Sequence, residues 1–99
     1  MPLVALTAEP LDVQALTVEV GASGDGAVAA FVGLVRDRNQ GHQVRFLEYE
    51  AYEPLALRAL ERILREARTA WPSARLGVHH RTGRLDIGEA SVIVVAASP

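Results

Sequence analysis

Cysteine is absent from the 99 residues, which excludes disulfides, thiolate metal sites and cysteine nucleophiles. Lysine is absent as well: all 10 basic residues are arginine. Schiff-base and amine-nucleophile chemistry are thereby excluded within this stretch, because both need an amine that can lose its proton. No apolar run approaches the roughly 18 residues of a membrane span. The start, MPLVALTAEPLDVQ, has neither the basic beginning nor the apolar core of a secretory signal. The expectation is a soluble cytoplasmic protein with no membrane partner. Excess charge is missing too: 12 acidic residues against 10 basic give a net charge of -2, so nothing general attracts nucleic acid. Any anion site must be local.

What is present is enough apolar content, 49%, for one core and therefore one domain over residues 1–99. VALT at 4–7 predicts a short strand closed by Pro10. Leu11, Ala15, Leu16 and Val20 recur near helical spacing and predict a helix over 11–20. GASGDG at 21–26 is a turn, with neither a Walker lysine nor a dinucleotide-binding glycine pattern. The apolar run 27–35 predicts a strand buried on both faces, followed by a polar loop at 36–42 and an antiparallel partner strand at 44–52.

From Pro54 to Trp71 the sequence predicts a long amphipathic helix, with Leu57, Leu60, Leu64, Ala67 and Trp71 along one side. Glu61 and Arg65 stand at the favourable i,i+4 spacing, worth about 0.2–0.5 kcal/mol. Residues 74–80 alternate as a strand, Gly83 and Gly88 bracket a short RLDI segment, and 91–97 reads as a central strand. This order predicts an α+β domain, a largely antiparallel sheet packed with helices.

The densest polar cluster is Arg36, Arg38, Asn39, His42 and Arg45. Its arginines offer forked donors to phosphate or carboxylate at any working pH. A solvated loop paired with surface acids is the commoner fate of such a cluster, and composition leaves both readings open. Arg36 is the best single candidate because it directly follows a strand, which holds its backbone. His79 and His80 are adjacent on a strand and point to opposite faces, so they do not share a metal, and no metal site is expected. Glu48, Glu50 and Glu53 read as a solvated face or as partners for arginine.

FVGLVR at 31–36, the loop with Asn39 and Gly41, LEYEAY at 47–52, Trp71-Pro72, and HRTGRLDIGEASVIVVAASP at 80–99 occur in an order that resembles one known family. The second signature is filled by His80, Arg81, Gly83, Leu85, Gly88 and Glu89. The family is that of the large, catalytic subunits of molybdopterin synthase, the MoaE family.

The resemblance implies an α/β hammerhead-type fold and an enzyme of molybdenum cofactor biosynthesis, a sulfurtransferase. It converts cyclic pyranopterin monophosphate to molybdopterin, taking sulfur from a thiocarboxylated, small ubiquitin-like subunit. It further implies a homodimer with small subunits on either side, and no cofactor. By position Leu34, Val35 and Arg36 inherit substrate binding, with Phe31, Arg38 and His42 behind them. In the family a His-Arg pair, a further helix and the catalytic lysines follow the segment matched by Ser98-Pro99. The expectation is that these 99 residues resemble the first two-thirds of the enzyme and are inactive alone. The alternative is a non-catalytic homologue that binds pterin or a partner protein.

Overall fold

A computed structural model describes residues 2–39, 42–43, 46–49 and 53–99, with the side chains of Asn39, His42, Gln43 and 46–49 outside the description. In chain order the elements are β1 (Val4–Thr7), α1 (Val13–Val20), β2 (Ala27–Leu34), β3 (Arg38–Asn39) and β4 (His42–Gln43). They continue with β5 (Phe46–Tyr49), α2 (Glu53–Ala70), β6 (Arg75–Arg81), β7 (Gly83–Asp86) and β8 (Ala90–Ser98). The fold is α+β, as the sequence predicts.

The main sheet has four strands in the order β1-β6-β8-β2, parallel only where β1 meets β6. Its centre is the predicted apolar strand β8, in which Ser91, Ile93, Val95 and Ala97 are buried alternately. Ile93, Val95 and Ala97 meet Leu16 and Val20 of α1 in the main core. Full burial of each such side chain contributes about 1.5–3 kcal/mol. The helix sits almost on the sheet backbone at Gly77, where an added Cβ would lie 2.7 Å from Leu16 Cδ1 and 2.8 Å from Val20 Cγ2. Leu76, one residue away and so on the opposite face, shares a cavity wall with Leu64 of α2.

Helix α1 begins at Val13, two residues later than the apolar spacing predicts, because Asp12 is its N-cap and accepts a hydrogen bond from the Ala15 N–H at 3.0 Å. Helix α2 buries Leu64 and Ala67 as expected, but Trp71 just beyond it is 65% exposed. The i,i+4 ion pair on this helix joins Arg62 to Glu66 at 3.2 Å, both well exposed. The 21–26 turn is closed by Asp25, whose carboxylate accepts from the Ala22 N–H and is anchored by Arg75.

Two strand expectations need correction. β2 is not buried on both faces: it is an edge strand of the four-stranded sheet, with Val28, Phe31, Val32 and Leu34 all exposed. An uninterrupted apolar run states affinity for apolar surroundings, but the strand order decides how much cover it receives. Nor, among the described residues, does the strand after the polar loop pair with β2. β2 pairs antiparallel with β8, whereas β5 pairs antiparallel with β7 in a separate ladder from Phe46↔Asp86 to Tyr49↔Gly83. Between them the loop contains the short β3–β4 pair. Among the described residues, no helix is long and apolar enough to cross a membrane.

Candidate functional site

β2 delivers the predicted site residues to one end of the main sheet. Its register against β8 shifts between Gly33 and Leu34: Gly33 faces Val92, whereas Leu34 faces Ala90. Ser91 is the extra residue, and its hydroxyl donates to the Gly33 carbonyl at 3.3 Å. Such a bulge twists the strand and re-aims the side chains beyond it. Here Val35 turns inward to 3% exposure, while Leu34 on one side and Arg36 on the other stay exposed.

Val35 is also tied through both backbone groups. Its N–H donates to the Glu89 carbonyl at 2.9 Å, and its own carbonyl accepts from the Gly88 N–H at 2.8 Å. The turn that provides these partners needs Gly88 at a φ of +86°, a region that favours glycine. The side chain of Glu89 closes the same turn. One carboxylate oxygen accepts from the Asp86 N–H at 2.9 Å, and the other accepts from Arg81 Nη1 at 2.6 Å. These two bonds, the backbone one being the larger influence, hold the Glu89 carboxyl below the usual carboxylate range.

Phe31 is 63% exposed, and its ring leans along the strand over Gly33, where an added Cβ would meet Phe31 Cε1 at 3.6 Å. Arg36 and Arg38 are exposed, and neither has an ion-pair partner among the described residues. Towards this strand end the structure leaves an exposed leucine and a guanidinium without an ion-pair partner among the described residues, with the exposed Phe31 ring further back on β2, three residues from Leu34 and so on the other face. That surface suits a ligand with a planar body and an anionic group. His42 lies on β4 with its side chain outside the described residues, as does that of Asn39, and Arg45 lies outside them altogether.

The adjacent histidines diverge as strand geometry requires. His79 is buried with Nε2 2.8 Å from the Pro2 carbonyl, and His80 Nδ1 is 2.6 Å from the Arg81 carbonyl. Glu50 is outside the described residues, as is the side chain of Glu48, while Glu53 opens α2. A cavity of about 320 Å³ lies away from Arg36, lined by Leu3, Leu64, Arg68, Pro72, Arg75 and Leu76 among others. Sequence reasoning missed the structural part of Arg81 and Glu89. Their only signal was membership of the HRTGRLDIGE signature, since burial of an arginine is not visible in a local pattern.

A family model described as MoaE protein matches residues 6–99. The chain belongs to the MoaE family. Among relatives named molybdopterin synthase catalytic subunit, that of Nostoc sp. is 42% identical over 96 residues, covering 96% of this chain and 58% of its own length. Catalytic subunit 1 of Mycobacterium tuberculosis is 41% identical, covering 99% of this chain and 67% of its own. Against the relative from Drosophila willistoni the match takes in all of this chain but 27% of the relative. The chain thus spans well under two-thirds of some MoaE relatives.

A crystal structure of molybdopterin synthase from Staphylococcus aureus superposes with a TM-score of 0.94 at 32% identity, covering all of this chain and 72% of that one. A complex of subunits 1 and 2 of the molybdopterin-converting factor from Helicobacter pylori superposes with a TM-score of 0.78 at 25% identity, over 98% of this chain and 66% of that one. The expected fold and family are therefore borne out.

Proposed function

We propose that this chain serves molybdenum cofactor biosynthesis as the substrate-holding part of a molybdopterin synthase large subunit. Its ligand is cyclic pyranopterin monophosphate, the phosphate engaged by Arg36 through charge-assisted hydrogen bonds and the ring system lying against Leu34, with Phe31 in the second rank. Val35 belongs to the site by fixing the backbone between its neighbours, since its side chain is buried and both its backbone groups are already bonded. Arg38 on β3 and His42 on β4 stand beyond Arg36 as secondary contacts. The observation that carries the reading is the exposed Arg36 guanidinium, without an ion-pair partner among the described residues, just beyond a clamped strand end.

The same proposal includes a small ubiquitin-like subunit that delivers sulfur as a thiocarboxylate, a homodimer and a cytoplasmic location. The exposed apolar residues of β2 supply surface for subunit association. Arg36→Ala is expected to weaken binding of cyclic pyranopterin monophosphate by at least about tenfold, the loss of a charged hydrogen-bond partner. Unchanged affinity in a calorimetric titration counts against the site.

A second reading is a non-catalytic binder of pterin or a partner protein; residues 1–99 contain no lysine, which suits binding without chemistry within this stretch. Both readings expect the 99-residue polypeptide to bind precursor yet yield no dithiolene product when mixed with thiocarboxylated small subunit. Product formation would remove the second reading and the requirement for lysine together.

A further inference from the structure

We propose that Arg81 and Glu89 are positioning residues for Arg36, acting through the 86–89 turn on the backbone of Val35. The inference rests on the reading of Arg36 as a ligand-binding group and adds how its position is set. The path is short and continuous. Arg81 Nη1 holds one Glu89 oxygen, the other Glu89 oxygen holds the Asp86 N–H, and the Glu89 N–H donates to the Asp86 carbonyl at 3.1 Å. The closed turn presents the Glu89 carbonyl and the Gly88 N–H to Val35, whose next neighbour is Arg36. Arg81 in turn is fixed from elsewhere in the fold: Nη2 donates to the Ala8 carbonyl just after β1 at 2.9 Å and to the Arg84 carbonyl at 3.4 Å.

Stability alone is a poor account of this arginine. It is 7% exposed, and its Nε is buried with no hydrogen-bond partner among the described residues. Replacing both members of a buried ion pair by well-packed apolar side chains is often neutral for stability, so the pair as a whole is weak evidence of a purely stabilising role. What an apolar residue would not supply is a fixed donor that orients Glu89. The carboxylate side of the clamp is 35% exposed and close to the strand end it governs, so the clamp spans from core to site. Groups one layer behind a binding residue set its geometry in this way, and displacements near 1 Å can matter.

The test is a thermodynamic cycle on the 99-residue chain, with cyclic pyranopterin monophosphate titrated and amide resonances followed. Glu89→Ala is expected to weaken binding about tenfold, and Glu89→Gln, which keeps one acceptor oxygen, about threefold. In an Arg36→Ala background, Glu89→Ala is expected to cause no further loss, because its effect passes through Arg36. Amide hydrogen exchange supplies a readout that does not depend on ligand. In Glu89→Gln the Val35 and Gly88 amides should exchange faster while that of Val95 does not.

Equal fractional losses with and without Arg36, or acceleration of all three amides alike, would overturn the proposal. If Arg36→Ala weakens binding and neither Glu89 variant does, the clamp alone falls. If Arg36→Ala leaves binding unchanged, the reading of Arg36 falls first and the clamp loses its object.

Discussion

Arg81 and Arg36 carry the same guanidinium, yet the fold uses them in opposite ways. Arg81 is buried, bonded to one carboxylate and two backbone carbonyls, and joins segments that are far apart in sequence. Arg36 is exposed and has no ion-pair partner among the described residues. Charge that the fold has already satisfied organises the protein; charge left over at a rigid position is available to a ligand. In a chain whose basic residues are all arginine, residue type distinguishes none of these roles, and burial with partners distinguishes them all.

The sharpest way to break this contrast is Arg81→Met, which keeps the length of the side chain and removes its donors. Truncating one member of a buried pair strands the other. Because Glu89 retains partial solvent contact, the expected loss is about 2–3 kcal/mol, measurable as a lower urea midpoint. Acidification probes the same pair from the carboxylate side. Asp25, through its hydrogen bond from Arg75 and then that from the Ala22 N–H, and Glu89 both titrate below their usual range. A depressed carboxylate contributes stability above its unfolded pKa and loses it as pH falls through the folded one. The urea midpoint should therefore hold from neutrality down to about pH 4–5 and then fall. In Glu89→Gln that fall should be shallower. The smallest effect is expected from Arg62→Ala on α2. Its pair with Glu66 is solvated on both sides, so stability should change by less than about 0.5 kcal/mol in the same unfolding experiment.

Much of the fold was legible where a local pattern meets a local cause. The spacing of Leu64 and Ala67 marks the buried stripe of α2, and the uninterrupted run at 91–97 marks the central strand. The run at 27–35 has the same texture and a different fate. Nothing in its own residues records that it meets β8 on one side and closes the four-stranded sheet on the other. Pairing of β5 with β7 was illegible for a related reason, because proximity in sequence favoured β2 as its partner while the ladder joins residues 46–49 to 83–86. For the site, position after a strand picked out Arg36, and the family signature named Arg81 and Glu89 without stating their task. That task depends on a turn closing around a carboxylate, which only coordinates reveal.

The strand order also has a consequence in time. Of the four strands in the main sheet, the chain emerges in the order β1, β2, β6, β8, and the two inner ones, β6 and β8, come last. During synthesis β2 has no neighbour in this sheet until β8 appears. β1 waits for β6, with Val4 meeting Val78 across most of the sequence. Contacts of such long range close slowly, and their apolar strands stay open to wrong partners meanwhile. The interval before β8 docks is therefore when a nascent chain of this kind most needs protection from aggregation.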